Sequence, residues 1–170
     1  MNLRQTTFTA LLLALVSGVV TPAVAQNQTP IGQFRDWGAI SYDSPNGKVC
    51  YALSIPQSMQ PTDVNHGDNF FVITQRGSQN VTYEPQFIAG YTLREGSKVS
   101  VNVDGTDFDF FVKDNSAWTE NAAQDPALVA AMKAGSRMTV RAISRRGTNT
   151  TYEYSLSGVT AALEAIESCN

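Results

Sequence analysis

An all-β domain, an immunoglobulin-like antiparallel β-sandwich carrying two short helices, is predicted by three observations. Segments rich in Val, Phe, Tyr and Ile alternate with turns bearing Gly, Asn, Asp and Pro along nearly the whole chain. The clearest of these segments repeat with period two, as a half-buried antiparallel sheet requires. Helical spacing occurs only near 125–134 and near 159–168. Roughly seven to nine short strands with so little helix favour a sandwich over an α/β fold. They favour it over a barrel only weakly, because turn spacing is similar in both.

The elements follow in chain order. Residues 1–25 read as a cleaved signal peptide: Arg4 is the lone charge, an apolar run from Phe8 to Val20 follows, and Ala23-Val24-Ala25 is a small-residue cleavage site. A membrane anchor is the alternative. The run is only about 13 residues, against roughly 20 for a bilayer span, and Pro22 breaks it. Residues 26–33, with Pro30 and Gly32, read as a flexible lead-in to a single β domain over 34–170.

Phe34 to Tyr42 is the first expected strand, and Ser44-Pro45-Asn46-Gly47 a turn. Val49 to Ile55 is the second strand, stopped by Pro56. Residues 56–68 read as an irregular loop. Phe70 to Gln75 is a short apolar run suited to a central strand, and Gly77 to Asn80 a turn. Glu84 to Tyr91 is placed at a sheet edge, because Pro85 cannot donate to a ladder.

The strongest hairpin signal comes next. Val99, Val101 and Val103 share one strand face, Phe108, Phe110 and Val112 share another, and Asp104-Gly105 joins them. Asp125-Pro126 opens a helix with Asp as cap, Leu128, Val129 and Met132 give its apolar stripe, and Gly135 closes it. Met138 to Ser144 and Thr150 to Leu156 are paired strands around the turn Arg145-Arg146-Gly147-Thr148. Val159, Leu163 and Ile166 form one face of a last helix.

Charge excludes one class of partner. The chain has 12 Lys+Arg against 15 Asp+Glu, a formal net charge of −3, and no basic run, so nucleic acid is not expected. Cys50 and Cys169 are the two cysteines, and an even count in an exported chain reads as one disulfide. It would close a loop of about 120 residues, worth on the order of 4–5 kcal/mol in the chain-entropy model. A metal site would need more ligands, and a redox pair usually has C-x-x-C spacing.

An ordered set of short pieces then stands out. It comprises Asp36-Trp37-Gly38, Lys48-Val49-Cys50-Tyr51 with Ser54 and Pro56, Gly90-Tyr91, Ala117-Trp118, Met132-Lys133-Ala134-Gly135, Ser144-Arg145-Arg146-Gly147-Thr148, Tyr154-Ser155-Leu156-Ser157-Gly158, Ala161-Ala162-Leu163, Ile166 and Cys169. In order and spacing it resembles the invasion-associated locus B family over roughly residues 34–169. The resemblance implies an exported α-proteobacterial envelope protein with a β-sandwich, in a family named for host-cell entry and carrying no agreed active site. Many relatives also have a cysteine soon after the tryptophan. Gly38-Ala39-Ile40-Ser41-Tyr42 has none here, which leaves Cys50 and Cys169 as the internal pair.

Few residues offer chemistry. His66 is the sole histidine, so a Ser-His-Asp system or a three-ligand zinc site has little to build on. With Asp63 and Asp68 it makes a weak metal site, or else a solvated turn. Asp104, Asp107 and Asp109 suggest either part of a calcium loop, a glycosidase acid pair, or a polar strand face. Trp37, Tyr51, Tyr91, Trp118 and Tyr152 suggest an aromatic carbohydrate platform or simply core. Arg141, Arg145 and Arg146 with Lys133 form the densest basic region, the first choice for a binding surface or otherwise a solvated hairpin tip. No catalytic centre, cofactor or metal is expected.

The reading that results is a non-catalytic binding domain of the periplasm or outer envelope of a Gram-negative bacterium. Its expected partner is an envelope or host-surface component. The rivals are a cell-wall hydrolase using Asp or Glu, and a chaperone-like protein presenting the sheet edge near Pro85.

Overall fold

The computed structural model describes residues 28–77 and 81–167, so the expected signal peptide and Cys169 lie outside the described residues. The described residues form eleven strands: β1 (Thr29–Phe34), β2 (Trp37–Ser44), β3 (Gly47–Ser54), β4 (Ser58–Gln60), β5 (Phe70–Arg76), β6 (Val81–Ile88), β7 (Lys98–Val103), β8 (Thr106–Lys113), β9 (Ser116–Thr119), β10 (Arg137–Ile143) and β11 (Asn149–Ser155). Two helices join them, α1 (Asp125–Ala134) and α2 (Val159–Glu167). The strands make one antiparallel ladder in the order β1-β2-β3-β5-β6-β9-β8-β7-β10-β11-β4.

The ladder folds over on itself, with β9 paired to both β6 and β8 at the bend. β11 shows how the two halves meet. Its Tyr152 ring lies 5.4 Å from Phe87 of β6, its Tyr154 ring 6.0 Å from Phe71 of β5, and its Ser155 carbonyl accepts from the Trp37 indole of β2 at 3.0 Å. One strand therefore runs across successive strands of the facing half, so the layers cross steeply. The predicted all-β, sandwich-like architecture with two helices is the one the chain adopts.

Period-two patterning decides what is buried in β7 and β10, whereas β5 is buried continuously from Phe71 to Gln75. Cys50 and Ala52 of β3, Phe71 and Ile73 of β5, Val99, Val101 and Val103 of β7, and Met138, Val140 and Ala142 of β10 all face inward and are buried. Each large side chain so buried stabilises the fold by about 1.5–3 kcal/mol. Val159, Ala162, Leu163 and Ile166 turn one face of α2 onto β1, β2, β3 and β5. Leu128, Val129 and Met132 bury α1 near β6 and β7.

Several expected details are corrected. Residues 29–34 are not a lead-in: they form β1, paired to β2 through a tight turn at Arg35-Asp36 with Arg35 at φ +54°. The loop 56–68 includes β4, which pairs with β11. The strand with Pro85 is internal rather than an edge. It pairs with β5 along its length, and its ladder to β9 begins at Gln86, so Pro85 stands where no donor is needed. Beyond that point α1 covers it.

Asp125 is the first residue of α1 and not its cap. Its carboxylate accepts from the Thr119 hydroxyl at 2.5 Å, while Asn121 caps the 3-10 turn just before the helix. Gly135 is extended at φ −88°, not left-handed. Glycine is needed there for room, since a Cβ would lie 2.9 Å from the Ala131 carbonyl oxygen and 3.0 Å from Leu156.

Candidate binding site at the loop end

Four connections meet at one end of the molecule: residues 61–69, 89–97, 114–115 and 144–148. Backbone bonds stitch them together. Ala89 N–H donates to Asn115 O at 2.9 Å, Leu93 N–H to Asp114 O at 2.8 Å, Arg94 N–H to Ile143 O at 2.9 Å, and Arg145 N–H to Thr92 O at 2.9 Å. Leu93 and Ser144 thereby form an isolated bridge between segments 51 residues apart in sequence.

Two glycines let the 61–69 loop fold inward. A Cβ on Gly67, at φ +60°, would lie 2.7 Å from the Gly90 carbonyl oxygen, and one on Gly90 would collide with the His66 carbonyl. Buried Asn69 locks the crossing, accepting from Gly90 N–H at 3.2 Å and donating to the His66 and Gly67 carbonyls at 3.0 Å each.

His66 is consequently buried rather than a solvated turn residue, and both of its ring nitrogens face protein groups instead of Asp63 and Asp68. Its Nε2 lies 2.8 Å from the Pro61 carbonyl, which can only accept, so Nε2 carries a hydrogen. Its Nδ1 lies 2.9 Å from the Tyr152 hydroxyl. The chain continues from Tyr152 to Tyr91 at 2.9 Å, from Tyr91 to Thr150 at 2.7 Å, and from the Thr150 hydroxyl to Ala142 O at 3.2 Å. Burial, followed by the bond to Tyr91, raises the Tyr152 pKa well above the ordinary phenol value. The phenol therefore stays protonated at neutral pH.

Two clefts share Tyr91 of this hydrogen-bonded chain, and Thr150 also lines the smaller one. The larger, about 830 Å³, is lined by Asp68, Asp114, Asn115 and Arg145. The smaller, about 430 Å³, is lined by Val64, Asn65, Ser144, Arg146, Thr148 and Thr150.

The basic region read from sequence is only partly assembled. Arg145 and Arg146 are exposed at these clefts. Arg141 is exposed further back along β10. Lys133 does not join them. It lies on α1, before the start of β10, and its Nζ sits 5.2 Å over the Tyr83 ring. β10 has seven residues and so separates Lys133 from Arg145 by roughly 20 Å or more.

A further arginine, Arg94, reaches the hairpin tip beside these clefts without lining either of them. Its Nη2 lies 2.7 Å from where a Cβ of Gly147 would stand, so its guanidinium rests over the hairpin tip. Linear spacing gave no signal for it, because the bridge between Leu93 and Ser144 exists only in the fold. Among the described residues, Arg94, Arg145 and Arg146 have no carboxylate within 4.0 Å.

The other singled-out groups are dispersed. Asp104 accepts from Ser136 N–H at 2.6 Å and Arg137 N–H at 3.2 Å, Asp107 from Asn102 at 2.8 Å, and Asp109 pairs with Lys98 at 3.0 Å. The Ser136 backbone bond, the largest influence, holds the Asp104 carboxyl below the usual carboxylate range. No aromatic platform forms from the five residues named above. Trp37 and Tyr152 are fully buried, Tyr51 and Tyr91 half-buried, and Trp118 stacks on exposed Phe111 at 5.7 Å on the outer face. Cys50 is buried on β3, and α2 ends at Glu167, two residues before Cys169.

Among the described residues, no helix is long and apolar enough to cross a membrane, and no cluster of three or more His, Cys, Asp or Glu could hold a metal ion. No curated protein and no solved structure matches the chain. One family model matches, that of the invasion associated locus B protein, over residues 37–167, which covers the layered core, both helices and the loop end. The chain belongs to the invasion-associated locus B family.

Proposed function

We propose that this chain is an exported bacterial envelope protein that acts as a non-catalytic binding domain, with the loop end as its recognising surface. Export is supported by the signal-like residues 1–25. The family match supports an envelope setting. A Cys50–Cys169 disulfide belongs to the same proposal. Cys50 lies inward on β3, and α2, which packs on β3, ends two residues short of Cys169.

One observation carries the reading. Two clefts share Tyr91, whose hydroxyl is fixed by Tyr152 and Thr150, and they are flanked by arginines that have no carboxylate partner among the described residues. A rigid wall under charged loops is how a sheet scaffold presents a recognition surface. The partner is an envelope or host-surface component that offers anionic groups to Arg145 and Arg146.

Co-sedimentation of the mature protein with isolated envelope material tests this. The wild type is expected in the pellet, and Arg145→Gln with Arg146→Gln is expected to stay largely in the supernatant with its fold intact. Equal sedimentation of both proteins would contradict the assignment of the loop end.

A further inference from the structure

We infer that the smaller loop-end cleft is a site for a phosphate-bearing ligand, clamped by Arg94 and Arg146. The inference deepens the binding reading above and rests on it.

The lining supplies the first argument. Among the described residues no carboxylate lines this cleft, whereas Asp68 and Asp114 line the larger one with Arg145. An anion entering the larger cleft meets like charge, and one entering the smaller does not.

Unused donors line this cleft, and one more stands at the hairpin tip beside it. Asn65 accepts from Gly67 N–H with its carbonyl oxygen at 2.9 Å, which leaves its NH2 group available. The Thr148 hydroxyl has no partner among the described residues. Arg146 lines the cleft, and Arg94 reaches the same hairpin tip from a different segment, its guanidinium over Gly147. Guanidinium forks arriving from two directions suit a tetrahedral oxyanion with several acceptor oxygens better than a planar carboxylate.

The site is also preorganised. Ser144 accepts Thr148 N–H with its hydroxyl at 3.0 Å and Gly147 N–H with its carbonyl at 2.8 Å, so the tip that carries Arg146 is held in one shape. Thr150 and Tyr91, at the back, belong to the buried chain ending at His66. A cleft of about 430 Å³ takes a phosphorylated polyol or a lipid headgroup rather than bare phosphate alone. The Thr148 hydroxyl and the Asn65 amide are chemically matched to such a polyol.

Titration of the mature protein with glycerol 3-phosphate, with acetate as the planar comparison, reads the site directly by amide chemical shifts. A parallel arm measures binding to vesicles containing phosphatidic acid against vesicles of phosphatidylcholine. Binding of free glycerol 3-phosphate supports the site with a small phosphate ester as its source, and binding only of phosphatidic acid vesicles supports it with a headgroup as its source. In whichever arm binds, Arg94→Gln and Arg146→Gln are each expected to weaken it by about tenfold or more, and Lys133→Gln to leave it unchanged. Melting curves of the arginine variants that match the wild type show that the loss is not unfolding. Binding in neither arm, acetate competing as well as the phosphate ester, or a double variant that binds like the wild type would overturn the inference. If envelope sedimentation still depends on Arg145 and Arg146 while no phosphate binds, only the ligand assignment fails. If phosphate binds but sedimentation does not depend on these arginines, the proposed function fails instead.

Discussion

Two tyrosines on β11, two residues apart, live in different halves of the interior. Tyr152, toward the hairpin tip, touches Phe87 and sits in a hydrogen-bonded chain with His66, Tyr91 and Thr150. Tyr154, toward the strand's other end, packs on Phe71, and its buried hydroxyl has no partner among the described residues. Both hydroxyls are removed from water, and only one is repaid in hydrogen bonds. The difference separates a region built for packing from a region that fixes polar groups in place beneath the candidate site.

The packing region should show the largest energetic effect. Phe71→Ala removes a fully buried ring that meets both Phe110 and Tyr154. It should cost about 3–5 kcal/mol in chemical denaturation. A loss under about 1 kcal/mol would mean that the two layers do not meet as described.

The polar region should respond next. Tyr152→Phe keeps the ring and leaves His66 Nδ1 and the Tyr91 hydroxyl short of a partner. It should cost about 1–3 kcal/mol and speed amide exchange around residues 61–69 and 144–148. Tyr154→Phe is the matched control. It removes a buried hydroxyl without a protein partner and should be neutral or slightly stabilising. Equal losses for the two variants would erase the distinction between the regions.

Surface changes should be smaller. Arg146→Gln should alter stability by no more than about 0.5 kcal/mol, since the side chain is exposed and forms no ion pair among the described residues. Asp104 gives a pH signature of fixed sign. Its folded-state pKa is lowered, chiefly by the Ser136 N–H, so its contribution is present above the ordinary carboxylate value near about 4 and is lost as pH falls through the lowered one. Asp104→Asn should therefore narrow the gap in melting temperature between neutral and acidic solution. An unchanged gap would remove Asp104 from the acid response.

How much of this was legible in the sequence depended on how local each signal was. The 99–112 hairpin was legible because its alternation and its Asp104-Gly105 turn lie within one short stretch, and both turn residues take the positive φ that the pair suggests, +43° and +100°. The two helices were legible for the same reason. β1, β4 and β9 were not, because each is short or polar and is defined by the strand it pairs with. The proline rule was half informative: Pro85 does stand where a ladder stops, but within an internal strand.

The candidate site was legible only in part. Arg145 and Arg146 sit in one local turn, so their closeness is legible in the sequence. Lys133 was wrongly grouped with them because twelve residues of sequence become a long distance once β10 is extended. Arg94 and the chain from His66 to Thr150 depend on contacts between distant segments, which no local pattern encodes.

The central claim is that the loop end, and not the α1 end, meets the partner. Site-specific photocrosslinking in living cells tests it most directly, with the probe at exposed Asn149 beside the smaller cleft or at exposed Ala134 at the end of α1. The account predicts adducts with envelope components from position 149, reduced by Arg146→Gln, and few from position 134. Equal or stronger capture from position 134, or adducts only with cytoplasmic proteins, would contradict it.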